Sequence, residues 1–190
     1  MSITVVDVDL DNLRLCPKEC LASVFWEMND PDSELDPGFQ KEEWFSFTLL
    51  EWGRCGKLLL EDDEGCGFAQ YGPATFFAGL ARFPWARISD DAAFLSSCYV
   101  QEGHRGRGFG SELVRTVARD LVDRGYRAVE SVGDRSEPGG WVLPEGFLAR
   151  CRFSVLREHR RFPVMRLDTL GSDRVPVASA AAAVPFSSAG

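Results

Sequence analysis

The sequence predicts an α/β domain, and three stretches carry that expectation. Residues 93–100 are a continuous, largely apolar run of strand length, residues 109–122 repeat apolar positions with the period of an amphipathic helix, and residues 128–132 are again a short strand-like run. A glycine-rich, basic loop joins the first to the second. The chain of 190 residues has the size of one ordinary domain, and 45% hydrophobic with 26% charged residues is a globular composition.

Residues 3–8 alternate β-branched with polar side chains and run into Asp11-Asn12, a strand followed by a turn. Two prolines and four acids make residues 30–38 a loop. Residues 39–50 space aromatic and aliphatic side chains as a helix does, with Gly53 and Gly56 as stops. Residues 57–60 and 66–71 flank the acidic segment 61–65, the pattern of two antiparallel strands and a short turn. Residues 73–91 are broken by Pro73, Gly79 and Pro84 and carry Phe76, Phe77, Phe83 and Trp85; loops of that length are usually functional, which places ligand contacts there.

The apolar face of the helix beginning at Phe109 continues through Leu113, Val117 and Leu121 to a stop at Gly125. Asp120 and Arg124 are expected as an i,i+4 pair on its solvent side. Residues 143–150 predict a short helix, and 153–159 with 164–169 a final hairpin. From Val175 to the end the sequence is uncharged and rich in Ala, Ser, Val and Pro, which predicts a domain over residues 1–170 and a flexible tail over 171–190.

The net charge of -8 and pI near 4.8 argue against nucleic acid, whose binding needs a basic stripe. Residues 1–15 hold Asp7, Asp9 and Asp11 in place of a basic segment followed by an apolar run, so no secretory signal is expected. The uncharged stretch 65–81 is too polar and too interrupted to span a membrane. Six scattered cysteines fit reduced thiols and a cytoplasmic protein. Cys16 and Cys20 are spaced C-x3-C, a weak zinc pattern, so no metal site is assigned. A homodimer is compatible with the sequence.

Against the acidic background, His104, Arg105 and Arg107 form a small positive cluster within the glycine loop. A loop carrying Gly106, Gly108 and Gly110 at a helix start offers backbone N–H groups, close approach without Cβ atoms, and the positive end of the helix dipole. Arg105 and Arg107 add forks suited to phosphate oxygens. No Lys follows the glycines, which excludes a P-loop. A dinucleotide fingerprint competes, with Glu130 at the distance of a ribose-binding acid, but Ser111 stands at its third glycine position and the loop follows an antiparallel hairpin. A simple tight turn with solvated arginines is the plain alternative.

The segment CYVQEGHRGRGFGSELVRTVARDLVDRGYRAVES resembles the acyl-CoA-binding motif of the GNAT acetyltransferases, whose loop R/Q-x-x-G-x-G/A is here Arg105-Gly106-Arg107-Gly108-Phe109-Gly110. The likeness runs from about residue 3 to 168. The segments GFAQYGPA, ISDDAAFLSSCYV and FLARCRFSVLREHRRFPVMRLD resemble an actinobacterial subgroup of unsettled substrate. This resemblance implies a single twisted mixed sheet flanked by helices on both faces, with acetyl-CoA entering where two parallel strands splay apart. It implies that Cys98, Tyr99 and Val100 line the pantetheine path, and that the backbone from Arg105 and Gly106 through Arg107, Gly108, Phe109, Gly110 and Ser111 holds the pyrophosphate.

Acetyl-CoA would be the cosubstrate and the partner a small-molecule or peptide amine, its acceptor site expected in the 73–91 loop. Many relatives carry a general-acid Tyr in F-Y-x-x-x-G-F; the matching segment here has Leu148 for the Tyr and Arg152 for the Gly, and Trp141 for a frequent upstream Asn. Glu130, on a strand expected to line the cleft, and Glu27, after Phe25-Trp26, are the candidate bases, with structural ion pairing as the alternative for each. The departures also leave open a CoA-binding sensor with little catalysis.

Overall fold

In a computed structural model the described residues are 2–32, 34–136 and 140–169. The elements in order are β1 (Ile3–Asp7), α1 (Lys18–Leu21), α2 (Pro37–Glu51), β2 (Gly56–Glu61), β3 (Glu64–Gly72), β4 (Ala92–Val100), α3 (Phe109–Asp123), β5 (Ala128–Asp134), β6 (Leu143–Pro144), α4 (Glu145–Arg150), β7 (Ser154–Arg157) and β8 (Val164–Asp168), of which α1 and β6 are not expected from the sequence. They form one mixed sheet in the order β1-β2-β3-β4-β5-β8-β7, with β6 paired to β5 off that path. The sheet has a core on each face. Helices α1 and α2 cover one, around Trp26, Phe45, Phe68 and Phe94; α3 and α4 cover the other, around Leu95, Leu113, Leu121 and Leu148.

Local chemistry sets the element ends. Asp36 caps α2 by accepting from Phe39 N at 3.1 Å, with Pro37 just inside the helix. The β2–β3 turn is tighter than the sequence suggested: Asp62 and Asp63, at φ 49° and 67°, make the whole connection between the Glu61–Glu64 pair. Of residues 143–150, the first two join the sheet as β6 and only Glu145–Arg150 are helical. The proposed tail, 171–190, lies outside the described residues.

Two expectations are corrected. Asp120 is not on the solvent side of α3; it is 6% exposed and accepts from the Tyr71 hydroxyl at 2.8 Å and from Arg54, besides Arg124. The 73–91 segment packs mainly on its own core. Phe77 and Phe83 are buried against Phe94 and Trp26, at ring distances of 5.2 and 5.3 Å, and Trp44 Nε1 donates to Phe76 O. Among the described residues no helix is long and apolar enough to cross a membrane.

Helices α3 and α4 end in the same hydrogen-bonded motif. In α3, Gly125 N donates to Val122 O and Tyr126 N to Leu121 O, with Gly125 at φ 82°. In α4, Arg152 N donates to Ala149 O and Phe153 N to Leu148 O, which forces exposed Arg152 to φ 69°. A side chain in that conformation costs about 1–2 kcal/mol relative to glycine. Arg152→Gly is therefore expected to stabilise the protein by about 1 kcal/mol, read as a higher urea midpoint at unchanged slope.

Candidate acyl-donor cleft

Strands β4 and β5 run parallel but pair only over Ala92–Ala128, Ala93–Val129 and Phe94–Glu130. Past that point they separate. Ser131 Oγ donates to Leu95 O at 2.8 Å and ties the vertex, while β5 continues against β8 and β6. On its other edge β4 stays paired to β3 as far as Val100, with a register shift where the Ser96 hydroxyl donates to Gln70 O. Among the described residues the inner edge of β4 beyond Leu95 thus lacks a strand partner, and it opens into a cavity of about 880 Å³.

The glycine loop forms one end of that cavity. Gly106 and Gly108 have φ 76° and 83°, and a Cβ built on either would meet nothing within 4 Å, so the backbone fronts open space. Helix α3 starts at N-cap Gly108 with no side-chain cap, and its first described bond is Glu112 N to Gly108 O. The N–H groups of Phe109, Gly110 and Ser111 are left as orphan donors at the positive end of a 15-residue helix. All three residues line the cavity. Gly110 has a further role, since an added Cβ would come within 2.9 Å of the Phe147 ring.

The two arginines differ. Arg105 lines the cavity, donates its Nε to Val100 O at 2.9 Å and lies over the Tyr99 ring. Arg107 does not line it. Its guanidinium is held by both carboxylate oxygens of Glu61, at 2.9 and 2.5 Å, and His104 Nε2 lies 3.0 Å from the same carboxylate. Glu61 was missed from sequence because its partners lie far along the chain; it ties the loop to the end of β2. The Arg107 bond, with the nearby His104, holds the Glu61 carboxyl below the usual carboxylate range.

Cys98, Tyr99 and Val100 lie along β4 at the cavity, as expected. Cys98 Sγ donates to Gly110 O and burial pushes its thiol up, so it is a neutral packing group. Tyr99 turns toward the α1–α2 face; desolvation and the charge of Glu19 raise its hydroxyl above the ordinary value. Cys16 and Cys20 are buried thiols pushed up to about 12 by desolvation, and among the described residues no group of three His, Cys, Asp or Glu is placed to hold a metal ion.

Neither candidate base reaches the cavity. Glu130 is 0% exposed, bound to Arg166 Nη1 at 2.9 Å and to Ser89 N at 2.9 Å, and Arg166 also chelates Asp91 and meets Asp168. It is a structural tie between β5 and β8, whose register pairs Glu130 with Arg166. Glu27 is 4% exposed and closed into a triad with Lys41 and Gln70, Gln70 Nε2 donating at 2.7 Å. Leu148 is also buried, so the position matching the family tyrosine carries no proton donor. Residues that line the cavity and had not been singled out as site residues include Glu19, Ser97, Trp141, Phe147 and Arg150.

An open strand edge beside an anion cradle defines a cleft for a long ligand with an amide-bearing arm and a phosphate end. The chain belongs to the acetyltransferase (GNAT) family, whose model matches residues 21–138. Solved structures agree in fold. The Salmonella typhimurium protein yncA, solved with its cofactor acetyl-CoA, superposes with TM-score 0.61 at 16% identity over 94% of this chain and 99% of that one. An N-acetyltransferase from Staphylococcus aureus Mu50 gives 0.58 at 14% identity over 89% and 99%. The paia N-acetyltransferase of Thermoplasma acidophilum, solved in complex with coenzyme A, gives 0.53 at 12% identity over 88% and 99%. Curated protein sequences give no match.

Because Glu61 orders the loop from outside the cavity, Glu61→Gln is expected to weaken acetyl-CoA binding about fivefold at nearly unchanged thermal stability. The depressed carboxyl keeps the wild-type tie intact above the ordinary carboxylate range; it is lost only as pH falls through the lower folded value. Calorimetric titrations should therefore give the same wild-type to variant ratio from about pH 5 to 8.

Proposed function

We propose that this protein transfers an acetyl or other short acyl group from acyl-CoA to the amine of a small molecule or peptide. The observation that carries this reading is the continuity of the unpaired β4 edge with the orphan amides of Phe109, Gly110 and Ser111 in one cavity. The amides and the adjacent Arg105 match a pyrophosphate, and the free edge at Cys98 and Val100 matches the amides of a pantetheine arm. Arg150, in the last turn of α4, adds a second cation to the phosphate side. Acetyl-CoA supplies an activated thioester: the neutral amine nitrogen bonds to the acetyl carbon and gives up one N–H proton, the C–S bond breaks, and the sulfur leaves as the protonated thiol.

The chain's own residues position rather than react. A backbone N–H on the open edge near the vertex polarises the thioester carbonyl, in the manner of an oxyanion hole. With Leu148 buried, the hydroxyls that border the cavity, Ser97 and Tyr99, and water are the sources of the proton taken by the sulfur. The raised Tyr99 hydroxyl is protonated at neutral pH. In this reading residues 1–170 are the transferase unit and 171–190 an appended tail, which the uncharged composition from Val175 onward supports. The narrower likeness to an actinobacterial subgroup rests on the quoted segments, and a cytoplasmic location on the six thiols.

Gly108 separates a phosphate cradle from a mere turn. Its surroundings are empty, so Gly108→Asn and Gly108→Asp both fold, and Asn tolerates the left-handed region. Calorimetry on the wild type is expected to show saturable acetyl-CoA binding below millimolar concentration. Asp abolishes it by charge and bulk, and Asn weakens it at least tenfold, about 1.4 kcal/mol. Near-wild-type affinity in folded Gly108→Asn would contradict the close-approach argument.

A further inference from the structure

The charged lining of the large cavity is segregated. Two cations, Arg105 and Arg150, stand with His104 at its phosphate end, and among the described residues Glu19 of α1 is its one carboxylate. Glu19 is exposed and has no hydrogen bond or ion pair among the described residues, whereas Glu27, Glu61 and Glu130 are all spoken for. It belongs to the side of β4 opposite α3, the side to which Tyr99 packs. Its charge is felt at the Tyr99 hydroxyl.

A second cavity, of about 430 Å³, adjoins this region. Its wall begins directly after α1 with residues 22–25 and includes Leu35, Asp32 and Arg82, whose guanidinium donates to Phe25 O at 2.5 Å and Asn29 O at 2.6 Å. Trp141 lines both cavities, its backbone held by Trp26 Nε1 donating to Trp141 O at 2.9 Å. The order along this face is therefore Glu19 and Tyr99 in the large cavity, Trp141 between, and beyond it a hollow that carries Asp32 together with the backbone-bound Arg82.

We propose that Glu19 is the acceptor-recognition residue: the acceptor arrives as a cationic amine, its ammonium is held by Glu19 beside Tyr99 and Trp141, and its remaining chain extends past Trp141 into the second cavity. A carboxylate beside the Trp141 ring suits an ammonium, which gives one proton to water before its nitrogen attacks the thioester. They disfavour an amine with a carboxylate on the same carbon, which would face Glu19. The acceptor class is thus an alkylamine without an adjacent negative charge, and a second positive group at its far end meets Asp32. This inference rests on the acyltransferase reading.

The test uses full-length protein with saturating acetyl-CoA and follows thiol release with three probes: a linear alkyl diamine, a neutral-tailed alkylamine and an α-amino acid. The diamine is expected to have the highest kcat/KM and the amino acid the lowest. Glu19→Gln should lower kcat/KM for the diamine roughly tenfold, mainly through KM, while the acetyl-CoA Kd stays within about twofold. Unchanged diamine kinetics in Glu19→Gln, preference for the amino acid, or no amine turnover by protein that binds acetyl-CoA would overturn the Glu19 assignment and leave the donor site standing. Absence of acetyl-CoA binding in the wild type would instead overturn the donor site and this proposal together.

Discussion

The structure depends on one interruption: the parallel pairing of β4 and β5 stops after Phe94–Glu130. Unpaired backbone inside a protein is costly unless something satisfies it, and a sheet of this size could have closed that gap. It is kept open by tying both strands elsewhere. The Ser131 hydroxyl takes Leu95 O at the vertex, β5 is occupied by β8 and β6, and β4 leans on β3 through Val100. What remains is an edge that a ligand's own amides can complete, as an extended peptide completes a sheet.

The buried charges follow from the same constraint. Glu130 lies on the last β4–β5 pair, where a free carboxylate would be badly solvated, and Arg166 from β8 neutralises it in register. The Glu27–Lys41–Gln70 triad links α2 to β3 on the opposite face in the same way. Removing one member of such a set leaves an uncompensated buried charge, so both sets fix geometry rather than supply reactive groups. The charge available to ligands is left to the cavity rim, where Arg105, Arg150 and Glu19 remain.

Much of this was legible in the sequence wherever the signal is local. The period of α3, its Gly125 stop, the β2–β3 hairpin and the glycine loop depend on neighbours within a turn or two, and each lies where those residues imply. Partners of charged groups are not local. Glu130 and Glu27 resemble free bases in sequence because Arg166 and Lys41 lie 36 and 14 residues away. Arg107 resembles a phosphate ligand because Glu61 is 46 residues off, and Asp120 resembles a solvent-facing helix residue because Tyr71 and Arg54 come from other elements. The aromatic 73–91 segment carries a hydrophobic signal that a substrate pocket and a core share, and its packing against Trp26 and Phe94 decides for the core. Arg152 fills a left-handed position that relatives give to glycine, a departure visible in sequence whose cost only the backbone reveals.

The central claim is that acyl-CoA completes the open edge of β4 and caps α3. Amide hydrogen exchange with and without saturating acetyl-CoA reads this residue by residue. Residues 106–111 and the β4 edge near Cys98 and Val100 are predicted to slow together on ligand addition, with β1 and β2 unchanged. Saturating acetyl-CoA that leaves the amides of Phe109, Gly110 and Ser111 at their free rates, or protects a different surface, would contradict the account.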